Sequence, residues 1–204
     1  MTSPIRTFLV RWTLPALAAV VLSGCALLKA PEAPRDSYEL TAPDSVSGLR
    51  ASTNAQILVK KPNALKSLDS ERLVLRSNGS EITYLAGVQW TDTVPNMVQA
   101  KLVEAFENTG ATGATAKPGD GLVIDYQLIS DLRRFEVVTD GAGQAVIELS
   151  IKLLSDKSGK VLETQIFTAT ATLVGREGDD YVRALDAAFD ELAVDVIRWV
   201  LGRV

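Results

Sequence analysis

The stretch Ile147-Glu148-Leu149-Ser150-Ile151-Lys152-Leu153 decides the fold. Apolar and polar residues alternate strictly, as in a strand with one buried and one wet face. The same alternation stands on either side of it. Upstream, Leu122, Ile124, Tyr126 and Leu128 alternate with Asp125 and Gln127; downstream, Phe167, Ala169, Ala171 and Leu173 alternate with Thr168, Thr170 and Thr172. Thr139-Asp140-Gly141-Ala142-Gly143 and Asp156-Lys157-Ser158-Gly159 are short Gly-containing connectors. Three such runs predict an antiparallel meander. Arg133-Arg134 interrupts the strand that begins at Leu122. It reads as a solvated edge or sheet-end pair, with an interface anchor as the other reading.

Working outward, Tyr38-Glu39-Leu40 is a short strand candidate and residues 41–54 read as loop. Ile57, Leu58 and Val59 form a buried-strand run stopped by Pro62, and Leu65 and Leu68 sit in a turn or short helix. Arg72–Arg76 and Glu81–Leu85 flank Ser77-Asn78-Gly79-Ser80, a hairpin signal. Asp92–Thr109 reads as a helix. Asp92 is its candidate cap, Pro95 lies in its first turn, Val94, Val98, Leu102, Ala105 and Phe106 share a face, and Gly110 stops it. Residues 110–121 are too Gly-rich for helix. A last helix spans about Asp179–Leu201, with Tyr181, Leu185, Ala188, Leu192, Val196 and Trp199 on one side. The expected fold class is α+β: a mostly antiparallel sheet covered on one face by two main helices.

The N-terminus predicts targeting. Arg6 and Arg11 precede an eleven-residue apolar run, Trp12 to Leu22, too short to span a hydrocarbon core of ~30 Å. It ends in Leu22-Ser23-Gly24-Cys25, which resembles the lipobox of bacterial lipoproteins. Residues 1–24 are therefore expected to be a signal peptide, Cys25 the lipidation site and 25–37 a Pro-containing tether. The domain is then 38–204, a single periplasmic unit. Acyl chains on Cys25 would supply the membrane attachment, because an acidic body gains nothing from an anionic lipid surface. Ala26 after the cysteine, rather than Asp, points to the outer membrane by resemblance to lipoprotein sorting.

Composition excludes much chemistry. The chain has 204 residues, no His, one Cys and a net charge of −4. An imidazole-based catalytic triad, a His- or Cys-built zinc site and an intrachain disulfide all lack their residues. The charge gives no basic footprint for nucleic acid. Gly110 to Lys117 lacks Walker A spacing, and Gly141-Ala142-Gly143 lacks the third glycine of a dinucleotide fingerprint. Glu177, Asp179 and Asp180 read as charge at a helix N-terminus in preference to a cation site. No cofactor or metal is expected. Trp90 has two readings, a core aromatic fixing how the helix leaves the sheet or a partner contact.

Together, Tyr38-Glu39-Leu40, Ile57-Leu58-Val59, Leu68 through Arg76, Glu81-Ile82-Thr83-Tyr84 and Trp90-Thr91-Asp92-Thr93-Val94-Pro95 resemble the ABC-type transport auxiliary lipoproteins, a PqiC-like family. Thr91 departs from the commoner Ala. The resemblance implies a non-enzymatic lipoprotein of an ABC/Mce-type transporter that moves lipids across the cell envelope. It would bind the periplasmic Mce-domain protein and, through it, the permease and ATPase. A homo-oligomer follows by analogy with ring-like Mce partners. The family supplies no catalytic residues to carry over. Tyr84, Trp90, Asp92 and Pro95 match its motif, either as fold supports or as partner contacts. Two other readings stand beside this one. One is an envelope lipoprotein that regulates or scaffolds a cell-wall or assembly machine. The other is a hydrolase built on paired carboxylates.

Overall fold

The computed structural model describes residues 34–49 and 51–204, so the expected signal peptide, Cys25 and most of the tether lie outside the described residues. The elements are β1 (Asp36–Tyr38), β2 (Gln56–Val59), β3 (Asn63–Ala64), β4 (Arg72–Ser77), β5 (Glu81–Trp90), α1 (Val94–Thr109), β6 (Ala114–Ala116), β7 (Tyr126–Val138), β8 (Gln144–Ser155), β9 (Lys160–Thr172) and α2 (Gly178–Leu201).

Strand β7 is the spine. Along one edge it pairs antiparallel with β8 from Tyr126↔Ser155 to Val138↔Gln144, and β8 pairs antiparallel with β9. Along its other edge three short strands follow one another in parallel: β2 at Tyr126, β3 at Asp131 and β4 at Glu136. β5 is the hairpin partner of β4, β1 lies parallel outside β5, and β6 lies parallel outside β2. The expected meander is β7-β8-β9. The sheet as a whole is mixed, with its long ladders antiparallel and most of its short ones parallel. Asn78 and Gly79 both adopt positive φ, the geometry a tight hairpin turn requires.

Both helices close on one side and the class is α+β. α2 packs on β7, β8 and β9, and α1 packs on β2, β6 and α2. Ala145, Ile147, Leu149, Ile151 and Leu153 join Leu185, Phe189, Leu192, Val196 and Val200 in one buried cluster. Each such large side chain contributes about 1.5–3 kcal/mol on burial. The α2 stripe alone is therefore comparable to the net stability of an ordinary domain. Residues 35–204 form one compact unit.

Several boundaries differ from expectation. β1 takes in Asp36 and Ser37 from the expected tether and ends at Tyr38. Leu40 is buried beyond it without being strand. β7 begins at Tyr126, because Asp125 caps its start: its Oδ2 accepts the Gln56 amide at 2.8 Å and its own amide donates to the Gln56 carbonyl. Leu122 and Val123 stay exposed outside it. Arg133-Arg134 does not end that strand. It lies within β7 at a bulge between Leu132 and Arg134, where one extra residue breaks the alternation. The N-cap of α1 is Thr93 rather than Asp92. Asp92 Oδ1 instead accepts the Thr93 amide at 2.6 Å and the Asn96 side-chain amide at 2.9 Å, bracing the helix start from outside. At α2 the acidic run does what charge at a helix start does. Glu177 and Asp180 form a capping box, and Asp179 accepts the Tyr38 hydroxyl.

Candidate interaction site

The motif around Trp90 is a joint between elements. The Trp90 amide donates to the Glu71 carbonyl at 2.7 Å, the Thr91 amide to Tyr38 at 2.9 Å, and the Val94 amide to Ser70 at 3.1 Å. The end of β5, the start of α1, the turn before β4 and the end of β1 therefore share one hydrogen-bonded knot. Inside it the Trp90 ring is 1% exposed and meets Phe135 edge to face, 5.7 Å between centroids at 77°. Its Nε1 has no hydrogen-bond partner among the described residues. Pro95 is buried in the first turn of α1, and Asp92 stands at the surface. The segment after β1 is tied to both helices. Lys101 of α1 pairs with Glu39 at 3.1 Å, and Asp186 of α2 accepts the Thr41 amide and hydroxyl at 2.7 and 2.8 Å.

Tyr84 belongs to a different group, on the face of the sheet that carries no helix among the described residues. Strand register aligns Tyr84, Val74, Glu136, Val146 and Thr170 in one row across β5, β4, β7, β8 and β9. Rows of arginine flank it. The Arg72 guanidinium lies 4.7 Å over the Tyr84 ring. Arg76 grips Glu136 with two nitrogens, Nε to Oε1 at 2.8 Å and Nη2 to Oε2 at 2.7 Å. Arg134 reaches the same Oε1 through Nε at 2.8 Å. Arg133 pairs with Glu148 at 3.4 Å.

Glu136 is 1% exposed. Burial works against its charged form. The hydrogen bonds and charges of Arg76 and Arg134 together outweigh that and hold its carboxyl below the ordinary glutamate range. The same contact raises the Arg76 pKa further. The structure thus brings Trp90, Asp92 and Pro95 together and sets Tyr84 among arginines. Glu136 was not singled out by sequence reasoning. Its signal was there in Arg134 and Glu136, two residues apart on one strand and so on one face.

The arrangement offers fixed, partly exposed guanidinium donors over buried Glu136. Among the described residues no group of His, Cys, Asp and Glu is placed to hold a metal ion, and no helix is long and apolar enough to cross a membrane.

This two-layer fold is that of a class of bacterial α+β domains seen in crystal structures. A Xanthomonas campestris protein is 27% identical with a TM-score of 0.77, covering 82% of this chain and 95% of that one. A hypothetical protein of Chlamydia trachomatis shares the fold alone, at 7% identity and TM-score 0.54, over 72% of this chain and 96% of that one. An uncharacterized protein of Bradyrhizobium diazoefficiens is 31% identical over 183 residues, 89% of this chain and 49% of the relative; the chain spans about half that relative's length. The chain belongs to the family of ABC-type transport auxiliary lipoprotein components, whose model matches residues 38–197.

Proposed function

We propose that this chain is a lipid-anchored, non-enzymatic subunit of an ABC/Mce-type transporter that moves lipids across the cell envelope. It is processed after residue 24, acylated on Cys25 and held by the tether at the periplasmic face of the outer membrane. There its domain binds the Mce-domain protein and, through it, the permease and ATPase. The observation that carries this reading is the family match over most of the folded domain. The lipobox at Leu22–Cys25 supports the anchor. Tyr84 and Asp92, the motif residues at the surface, are available to a partner, whereas Trp90 and Pro95 are buried in the joint beside Asp92.

Affinity capture of the full-length protein from detergent-solubilised envelopes tests the partnership. The Mce-domain protein, with permease and ATPase behind it, is the expected catch. Recovery of a peptidoglycan synthase or assembly machine in its place would transfer the protein to a scaffolding role. The Cys25→Ser variant is expected to leave the membrane fraction or to accumulate as precursor. Its retention in a washed outer-membrane fraction would refute lipid anchoring.

A further inference from the structure

We propose that the face of the sheet away from both helices is a docking surface for an acidic segment of a partner protein, with Arg72 and Arg134 as its anion-binding centre. The inference deepens the transporter-subunit reading and rests on it for the partner's setting.

The molecule is net acidic, yet this face carries Arg72, Arg76, Arg133, Arg134 and Lys152 against Glu136, Glu148 and Asp131. Among the described residues Arg72 has no carboxylate partner, and Arg134 spends only its Nε on Glu136. Its two terminal nitrogens are left to donate outward. A planar guanidinium with free paired donors matches a carboxylate.

Taking a glutamate out of water costs several kcal/mol, and an apolar residue would fill the same space without that cost. What Glu136 provides is orientation. It holds Arg76 by two nitrogens and Arg134 by one, with those side chains 24% and 36% exposed. Guanidinium planes fixed before a partner arrives lose little freedom on binding. Val74 and Val146, beside Glu136 in the row, are themselves buried.

Tyr84 and Ile82 are 37% and 38% exposed on this face. Exposed tyrosine and isoleucine beside arginine match the composition of protein interfaces, where aromatic residues and arginine are enriched. A strand or loop carrying Asp or Glu beside apolar residues would meet both parts, which favours a protein segment over a lipid headgroup.

Photo-crosslinking in cells tests this with the full-length lipidated protein. p-Benzoylphenylalanine replaces Ile82, and Glu191, exposed on α2, takes it in a control. The expected result is a protein adduct from position 82 and not from 191, mapping to a peptide with Asp or Glu. Yield should fall about tenfold when Arg72→Glu and Arg134→Gln are added. Circular dichroism melting checks that this variant folds; if it does not, Arg72→Glu alone carries the test, with a fall of about fivefold. No adduct, a lipid adduct alone, a peptide without acidic residues, or a yield unmoved by the variants would each overturn the proposal. An acidic-segment adduct from a protein other than the Mce subunit would support this surface while refuting the transporter reading. Capture of the Mce subunit with no adduct at position 82 would do the reverse.

Discussion

Trp90→Ala is expected to destabilise the domain by about 3 kcal/mol. Truncating a fully buried tryptophan costs about 3–5 kcal/mol. Here the ring is 1% exposed and rests edge to face on Phe135, so truncation empties a site between β5, β7 and α1. The loss falls at the lower end because Nε1 is buried without a partner among the described residues, and deleting an unpaired donor returns about 1 kcal/mol of desolvation. Trp90→Phe keeps an aromatic edge on Phe135 and also removes the unpaired N–H, so it should cost only about 1 kcal/mol. Urea unfolding followed by far-UV circular dichroism reads both, since fluorescence would lose its own reporter. For a domain of this size a loss of 3 kcal/mol lowers the melting temperature by about 6–12 °C. A loss below about 1 kcal/mol for Trp90→Ala, or equal losses for the two variants, would refute Trp90 as the wedge of the joint.

Glu136→Gln should cost about 1–3 kcal/mol at pH 7, because a charge-assisted acceptor for two guanidiniums is lost. The depressed folded pKa of Glu136 means its contribution is complete above the unfolded value of about 4.3 and disappears as pH falls through the folded one. The stability gap between wild type and variant should therefore close in acid; a gap that persists at pH 2 would contradict the ion-pair account. Asp190 is the opposite case. Burial, then Asp186 and Asp44, raise its pKa, and its Oδ1 has no partner. Asp190→Asn should raise the melting temperature at neutral pH, with the gain shrinking as pH falls and the wild-type carboxyl protonates; thermal melts across pH decide it. Gly113→Ala would place a Cβ 2.1 Å from the Asn54 carbonyl oxygen, where the Gly113 amide also donates to Ala55. The expected cost is about 2 kcal/mol, with hydrogen-exchange protection lost first around residues 53–55 and 111–116.

The meander, both long helices and the hairpin were legible because each is encoded by a local period or turn. Alternation at 147–153 and 167–173, apolar spacing along α1 and α2, and Asn78-Gly79 need nothing from elsewhere in the chain. What escaped is what depends on distant pairing. β3 and β6 are two and three residues long. No period fits in so few positions, and they are strands only because β7 and β2 offer them an edge. The bulge before Arg134 erased the alternation at the one place where β7 needed it to continue.

The same division explains the site. Trp90, Asp92 and Pro95 carry a recognisable motif because four elements must converge there, and convergence dictates a ring, a brace and a proline at fixed spacing. Arg76 and Glu136 lie 60 positions apart and meet only because β4 lies beside β7. Their meeting leaves no pattern in either strand. A motif of this kind therefore marks where the fold is made. On this chain the groups best placed to choose a partner lie one row of strands away, where Tyr84 alone joins the motif to the arginines.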